Sequence, residues 1–262
     1  MITSTQNERI KYVRSLVRRR VRQREGRFVV EGTRLVEEVV RAGIRPALLL
    51  YTQAWAVAPV GQRLLPSLLP AEEGDWLVSE AVLAACADTE TPQGVLAVVP
   101  FVSLSPRPGL ILILDRPRDP GNLGTILRSA EAAGVGQAIL APGTVDLYNP
   151  KVVRGAMGAH FRLPVTGLNW PAIAERVAGR AVWLADAAGE VAYDAVDWTQ
   201  PAALIVGGEA AGAGEKASAL ATGRVRIPMA GGAESLNAAM AATVILFEAT
   251  RQGRSRATME LL

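Results

Sequence analysis

The chain has 262 residues, half of them hydrophobic and 20% charged, with a formal net charge of +3. This balance is typical of an ordered globular protein long enough for one large domain or two smaller ones, and it excludes an intrinsically disordered chain. A single cysteine, Cys86, and a single histidine, His160, exclude an intramolecular disulfide and a metal site built on several such ligands, so no metal cofactor is expected.

Neither a membrane span nor a secretory signal is predicted. The longest apolar helical run, residues 237–247, ends before Glu248 and is shorter than the roughly 20 residues that a spanning helix needs. Residues 1–27 are polar and basic, unlike the apolar core of a signal peptide. With only one cysteine, a reducing compartment is favoured, and we expect a cytoplasmic protein.

The positive charge is concentrated at the start of the chain. Residues 1–30 carry nine basic side chains against two acidic ones, Glu8 and Glu25. A patch of this kind favours binding of a polyanion, because each neutralised phosphate releases counterions. A solvated helix face without a partner is the alternative that charge alone leaves open.

The first 100 residues are predicted to form a small α/β domain. The hydrophobic pattern predicts a basic helix at 7–24, a strand at 28–30, a helix at 33–42, and strands at 47–51, 76–78 and 94–99. The first strand–helix–strand succession favours a βαβ unit with a parallel pair of strands. Residues 100–109 contain three prolines, which is typical of a linker. We therefore expect two domains, at residues 1–105 and 106–262.

From residue 110 strands and helices alternate. Strands are predicted at 110–114, 137–141, 181–185, 202–206 and 225–227, and helices at 122–133, 152–159, 171–178, 215–221 and from 235 onward. Strands that are apolar without alternation indicate a sheet covered on both faces, hence a parallel, doubly wound α/β domain. A ligand is expected at the carboxyl ends of such strands.

Three of these strands run into glycine-containing polar turns. The sequences are LDRPRDPGNLGTILR at 114–128, LIVGGEAAGAG at 204–214 and RIPMAGGAESLN at 226–237. Glycines let backbone N–H groups approach a ligand closely. The first turn has neither the G-x-G-x-x-G pattern nor a P-loop lysine, so dinucleotide or nucleoside triphosphate binding is disfavoured.

Together the three turns resemble the motifs of the SpoU/TrmH family of the SPOUT superfamily, RNA ribose 2′-O-methyltransferases that use S-adenosylmethionine. The resemblance implies a homodimer whose catalytic domain is a parallel sheet with a C-terminal trefoil knot. It also implies a ribosomal-protein-like RNA-binding domain before it, carried here by VVEGTRLVEE and TPQGVLAVV. Ribosomal RNA is the favoured substrate, in a housekeeping or an antibiotic self-protection role. A tRNA methyltransferase and a non-catalytic RNA-binding protein remain the alternatives.

The resemblance also implies the site residues. The catalytic set is Asn122, Arg128, Glu209, Ser235 and Asn237, and the cofactor set is Ala185, Gly208, Ile227, Met229, Ser235, Leu236 and Asn237. Arg128 is expected to bind the phosphate of the target nucleotide and to polarise its 2′-hydroxyl, in one chain or across a dimer, because an arginine is a poor base at its ordinary pKa. A surface ion pair with Glu131 is the alternative.

Simpler structural roles remain open for several of these residues. Glu209 could orient Asn122 or Arg128, or only complement the charge of a helix N-terminus. Ser235 and Asn237 could be helix caps and nothing more. Ile227 and Leu236 could be core residues instead of walls for the adenine. His160, beside Phe161, is expected to be a packed structural residue and not a base.

Overall fold

The computed structural model describes residues 1–208 and 212–259, with side chains as far as residue 255. By packing, this part of the chain forms two units. One comprises Met1–Val102 and Asp146–Phe161, and the other comprises Ser103–Val145 and the described residues from Arg162 onward. A single cut near residue 105 does not reproduce this division, because residues 146–161 pack with the first unit. The functional domains expected at 1–105 and 106–262 stay a prediction.

The secondary structure follows the predicted alternation with a few additions. The strands are β1 (Arg27–Glu31), β2 (Leu48–Tyr51), β3 (Gly74–Leu77), β4 (Val95–Pro100), β5 (Ile111–Asp115), β6 (Gln137–Leu140), β7 (Val165–Gly167), β8 (Ala181–Ala185), β9 (Val191–Ala192), β10 (Ala202–Gly207) and β11 (Gly223–Arg226). The helices are α1 (Glu8–Ser15), α2 (Arg19–Glu25), α3 (Thr33–Arg41), α4 (Gln53–Val57), α5 (Pro59–Leu68), α6 (Glu80–Cys86), α7 (Pro120–Ala132), α8 (Pro150–Ala156), α9 (Trp170–Arg176), α10 (Glu215–Leu220) and α11 (Ala238–Met259). The sequence pattern missed α4, α5 and the two short strands β7 and β9.

The first unit is built on a four-stranded sheet with the order β1-β4-β2-β3. Strand β4 is antiparallel to both β1 and β2, whereas β3 is parallel to β2. The predicted parallel pairing of β1 with β2 is therefore wrong: the two strands run in the same direction, but β4 lies between them. Residues 95–99 of β4 are all buried, so this strand takes a central position with apolar layers on both faces.

The predicted single basic helix at 7–24 is also wrong, because it breaks into α1 and α2. The guanidinium of Arg22 is buried and donates to the carbonyl oxygens of Leu16, at 2.8 Å, and Val17, at 2.6 Å. Its second nitrogen pairs with Asp146. Arg22 thus satisfies the free carbonyls that the end of α1 leaves, and the chain can turn there while Leu16 stays in the core.

Aromatic packing holds residues 146–161 within the first unit. The ring of Tyr148 stacks on Phe101, with 3.8 Å between centroids and 4° between planes. Phe161 joins the core around Phe28. His160 is buried, and its Nε2 lies 2.8 Å from the carbonyl oxygen of Leu147. The structural role expected for His160 agrees with this placement.

The burial of His160 predicts an acid-sensitive stability. Burial lowers the pKa of His160 below its ordinary value of 6.5, so the folded state holds the ring neutral. The unfolded chain then binds one more proton below about pH 6.5, and stability should fall on acidification by up to ~1.4 kcal/mol per pH unit. We expect urea unfolding at pH 7.5 and 5.5 to show this loss. His160→Gln, which keeps a donor for the carbonyl of Leu147, should reduce this acid-induced loss of stability. An unchanged pH dependence in the variant would show that His160 is not the group responsible.

The second unit is built on a seven-stranded, wholly parallel sheet. Its order is β7-β6-β5-β10-β8-β11-β9. The central strands β5 and β10 are almost entirely buried, as their unbroken apolar sequences predict. The prediction of a parallel α/β domain is therefore confirmed. The carboxyl ends of β8, β10 and β11 lie side by side at one edge of this sheet.

Strand β11 occupies an unusual place in the order. It lies between β8 and β9, which are consecutive in the chain, so the connection at residues 186–190 must bridge over it. The N–H of Asp186 donates to the carbonyl oxygen of Val225 at 2.9 Å. A Cβ added to Gly189 would lie 2.8 Å from the carbonyl carbon of Val225, so this connection fits closely against β11. The trefoil knot expected in this region stays a prediction.

Two absences can be stated for the part of the chain that the structure describes. None of its helices combines the length and the apolarity that a membrane crossing requires. Nor do three or more His, Cys, Asp or Glu side chains within it come together in a way that could hold a metal ion.

Candidate active site

A cavity of about 380 Å³ opens beside the carboxyl ends of β8, β10 and β11. All seven residues of the predicted cofactor set line it: Ala185, Gly208, Ile227, Met229, Ser235, Leu236 and Asn237. Its volume falls within the range of roughly 300–1,000 Å³ that is usual for small-ligand sites. The structure thus brings the second and third glycine-containing turns to one cavity.

Gly207 and Gly208, where β10 runs into its turn, have no room for side chains. A Cβ added to Gly208 would lie 2.6 Å from the carbonyl oxygen of Arg116, and one added to Gly207 would lie 2.5 Å from the nitrogen of Ala213. Both distances are shorter than real contacts of a Cβ. The wall of the cavity at this point is therefore backbone, which can present N–H and C=O groups directly to a ligand.

Asp115, at the end of the neighbouring strand β5, holds this turn in place through a hydrogen bond. Its carboxylate is buried at the end of β5, accepts the N–H of Gly214 at 2.6 Å and lies 3.2 Å from Nε of Arg116. Asp115 is not among the predicted site residues. Its position directly after the apolar run of β5 could have identified it, because ligands bind at the carboxyl ends of parallel strands.

Asp186 and Glu234 add two carboxylates to the cavity lining. Neither belongs to the predicted set. Asp186 directly follows β8, accepts the N–H of Ala188 at 3.0 Å and pairs with Arg224 at 2.7 Å. The same signal, an acidic residue at the carboxyl end of a parallel strand, could have identified it.

Asn237 joins the first and third turns. Its Oδ1 accepts the N–H of Ala239 at 2.8 Å, and its Nδ2 donates to Oδ1 of Asn122 at 3.1 Å. Asn237, one of the two expected caps, is therefore the N-cap of α11, which begins at Ala238. Ser235 lines the cavity and makes no capping bond among the described residues.

Arg128 lies elsewhere on α7. It lies six positions after Asn122, which places it about 9 Å along the helix and roughly 120° around it. Ser129, one position further, faces α11 and shares a hydrogen bond of 2.7 Å with Thr243. Arg128 is exposed and does not line the cavity. The alternative ion pair with Glu131 is not formed; Glu131 pairs with Arg162, at 2.9 Å.

Glu209, the remaining member of the predicted catalytic set, lies outside the described residues. Its proposed orienting role stays a prediction. The described neighbours on either side are Gly208 and Gly212, which form an isolated antiparallel bridge.

Removing the Asn237 side chain should weaken the second unit measurably. Asn237→Ala loses the N-cap bond, worth about 0.5–2 kcal/mol, together with the bond to Asn122. Asn237→Asp keeps a capping oxygen and loses only the donor to Asn122. We expect urea unfolding, followed by circular dichroism, to show the alanine variant less stable than the aspartate variant by about 1 kcal/mol. Equal stabilities would mean that the cap contributes nothing.

Comparison with known proteins places this geometry in a family. A profile of the SpoU rRNA Methylase family matches residues 109–247, more than half of the chain. The chain belongs to this family. A profile of the MRM3-like substrate binding domain matches residues 7–97 of the same SpoU-family chain.

Similar proteins match over nearly the whole length. The 23S rRNA (guanosine(2553)-2′-O)-methyltransferase RlmP of Bacillus subtilis is 33% identical, over 94% of this chain and 97% of its own. The 23S rRNA (uridine(2479)-2′-O)-methyltransferase of Streptomyces viridochromogenes is 36% identical, over 92% and 89%. The AdoMet-bound rRNA methyltransferase of Sinorhizobium meliloti superposes with a TM-score of 0.84 at 32% identity, covering 95% of this chain and 97% of that one.

Membership confirms the predicted family, the α/β fold class and the enzyme class, an S-adenosylmethionine-dependent RNA ribose methyltransferase. The lining of the cavity in this SpoU-family chain fits that cofactor. Ile227 and Leu236 offer apolar surface for an adenine ring, and the backbone at Gly208 offers hydrogen-bonding groups. Asp186 and Glu234 supply negative charge suited to ribose hydroxyls and to the cationic groups of the cofactor.

Proposed function

We propose that this SpoU-family enzyme methylates the 2′-hydroxyl of a ribose in ribosomal RNA, with S-adenosylmethionine held in the cavity beside β8, β10 and β11. The observation that carries the proposal is the convergence of all seven predicted cofactor residues on that cavity. The activities of the Bacillus and Streptomyces relatives, both directed at 23S rRNA, support the substrate class.

The cavity residues would fix the cofactor in one orientation. The backbone at Gly208 and Met229 would bind the polar edge of the adenine, with Ile227 and Leu236 against its faces. Bound S-adenosylmethionine supplies a methyl group attached to a positively charged sulfur. Ser235 and Asn237, at the start of α11, would hold the ribose of the target nucleotide next to it. Such positioning lowers the entropic part of the barrier to transfer.

Arg128 would act on the RNA and not on the cofactor. Its exposure, its place outside the cavity and the absence of an ion pair to Glu131 support this role. A guanidinium that binds the phosphate beside the target ribose stabilises negative charge on the 2′-oxygen as its proton leaves. Asn122 would steady the site through its bond to Asn237, and Glu209 would orient Asn122 or Arg128.

The first domain, residues 1–105, would bind the RNA substrate. Nine basic side chains among its first 30 residues support electrostatic attachment to a phosphate backbone. The match of residues 7–97 to a substrate-binding domain points the same way. A cytoplasmic location suits both an RNA substrate and a lone, partly buried thiol at Cys86.

A homodimer is the assembly we propose, through the exposed side of α11. Met240 is 59% exposed and Phe247 is 43% exposed, and they lie seven residues apart on the same helix face. Replacing both with glutamate should convert a dimer to a monomer in sedimentation equilibrium, because two charges would then have to be desolvated at the interface. As a control, Lys216→Glu changes charge at an exposed position on α10 of the same unit and should leave the dimer intact. Wild-type protein that sediments as a monomer would refute the proposal.

The function is tested by transfer of a tritiated methyl group. Purified protein is incubated with labelled S-adenosylmethionine and, separately, unmodified ribosomal RNA and unmodified tRNA, and the product is mapped by mass spectrometry of nuclease fragments. We expect a 2′-O-methyl group on ribosomal RNA. Transfer to tRNA alone would favour the tRNA alternative. Calorimetric binding of the cofactor without transfer to either RNA would favour a non-catalytic RNA-binding protein.

A further inference from the structure

A second cavity, of about 410 Å³, lies wholly within the first unit and has no role in the chemistry described above. It opens at the break between α1 and α2. Its other walls come from β1, the end of α6 and the start of α8. We define it by six of its lining residues as the break cavity: Arg14, Leu16, Arg18, Arg22, Ala85 and Val153.

The break cavity combines apolar walls with charges of one sign that have no internal partner. Leu16 and Val153 are buried apolar lining residues, and Val17, also in the lining, is 59% exposed. Arg14 and Arg18 are exposed, and neither forms an ion pair or side-chain hydrogen bond with any residue in the described ranges. Two arginines of this kind at an apolar cavity fit a ligand with one flat apolar part and one anionic part.

The acidic side chains of the lining are already engaged. Glu31 accepts the N–H of Asp88 at 2.8 Å and the hydroxyl of Thr89, and Asp88 itself pairs with Arg154. An incoming anion would therefore meet Arg14 and Arg18 without competition from a free carboxylate in the lining.

The floor of the cavity carries a further polar group in need of a partner. Arg22 is 3% exposed, and both of its terminal nitrogens are bonded, to the carbonyls of Leu16 and Val17 and to Asp146. Its Nε, however, is buried without any hydrogen-bond partner. A buried donor without a partner is energetically costly.

We propose that the break cavity binds one unstacked nucleotide of the RNA substrate, with its base between the apolar walls and its phosphate on Arg14 and Arg18. RNA is the occupant because the cavity lies within the most positively charged stretch of the chain, residues 1–30. Proteins that recognise RNA commonly bind unstacked bases from loops and bulges in this manner. The inference rests on the proposed function for the class of RNA. It adds a contact with a nucleotide other than the one that is methylated, and this contact would select RNAs that contain an unstacked base.

The charge part of the inference is tested by a pair of double variants. Binding of in vitro transcribed large-subunit ribosomal RNA is measured at several salt concentrations. For Arg14→Gln with Arg18→Gln we expect at least tenfold weaker binding and a salt slope shallower by about 1 to 2. The control, Arg45→Gln with Arg63→Gln, removes two exposed charges of the same unit that do not line the cavity, and should stay within threefold. Equal losses in the two double variants would overturn the inference.

The shape part is tested by filling the cavity without changing charge. Ala85→Phe places a ring in the lining, whereas Ala84→Phe places one on the exposed side of the same helix. We expect at least tenfold weaker RNA binding for Ala85→Phe with an unchanged salt slope, and little change for Ala84→Phe. Unchanged far-ultraviolet circular dichroism and an unchanged urea unfolding transition would show that the variant is folded. Full RNA binding by a folded Ala85→Phe variant would overturn the inference.

Cross-linking examines the wild-type protein directly. Ribosomal RNA transcribed with 4-thiouridine is irradiated in the complex, and adducts are located by mass spectrometry. We expect adducts on residues 11–18, 85–88 or 148–154, and adducts confined to other segments would contradict the proposal.

Binding of free uridine 5′-monophosphate distinguishes a nucleotide within RNA from a free nucleotide as the occupant of the break cavity. RNA would be rejected as the occupant if wild-type protein bound uridine 5′-monophosphate with micromolar affinity and Ala85→Phe blocked this binding without weakening RNA binding.

The outcomes separate this inference from the proposed function. If the wild-type enzyme methylates ribosomal RNA and the cavity variants bind and methylate it normally, the inference alone fails. If the wild-type protein binds RNA through the break cavity but transfers no methyl group to it, the proposed function alone fails.

Discussion

Arg128→Ala should reduce methyl transfer to ribosomal RNA by at least ~10²-fold while leaving the affinity for S-adenosylmethionine within about twofold. Loss of a single group that stabilises developing charge commonly costs ~10²–10³ in rate. Cofactor affinity should persist because Arg128 does not line the cavity and lies roughly 120° around α7 from Asn122. Single-turnover transfer and calorimetric cofactor binding together measure the two effects.

Two further variants make that result specific. Arg128→Lys keeps the charge but not the planar fork that binds phosphate through two bonds, and it should recover only part of the rate. Lys216→Ala removes an exposed cation of the same unit and should have little effect on either measurement. Simultaneous loss of cofactor binding and transfer in Arg128→Ala would mean that the residue is structural.

Gly208→Ala should abolish tight cofactor binding through one added methyl group. That Cβ would lie 2.6 Å from the carbonyl oxygen of Arg116, so either β10 or the segment after β5 must shift. Overpacking of this kind costs about 1–3 kcal/mol. Because the cofactor-bound state must keep this strained geometry, we expect the Kd to rise by roughly 10- to 100-fold. Calorimetry with S-adenosylmethionine measures the change.

Gly231→Ala is the matched control, since nothing lies within 4 Å of a Cβ at that position. It changes the same residue type in the third turn of the same unit, and its Kd should stay within threefold of the wild type. A Gly208→Ala protein that binds the cofactor normally would show that the backbone at Gly208 does not form the cofactor site.

The contrast between the two units shows which interactions a sequence encodes locally. In the second unit the strands β5, β6, β8, β10 and β11 lie within a few residues of their predicted positions. Their apolar runs are buried on both faces, and a parallel sheet is the arrangement that buries them. In the first unit the elements were also largely predicted, but the pairing of β1 with β2 was not, because β4 arrives some 40 residues after β2 and takes the place between them.

Buried charge explains the other differences. Periodicity favoured one basic helix at 7–24, but Arg22 pairs with Asp146, a residue more than 100 positions away, and its bonds to Leu16 and Val17 stabilise a break. Asp115 and Asp186 were likewise overlooked as site residues. Their importance lies in the groups they hold, Gly214 and Arg224, which come close only after the sheet has formed.

By itself, the sequence determined the alternation of strands and helices, the family, the cofactor and the residues of the second and third turns that line one cavity, because each depends on local apolar runs and on short motifs. Only the tertiary structure decided the strand order, the break in the basic helix, the packing of residues 146–161 with the first unit and the position of Arg128 outside the cavity. These features depend on contacts between residues far apart in the chain, and the local periodicity of the sequence does not predict such contacts.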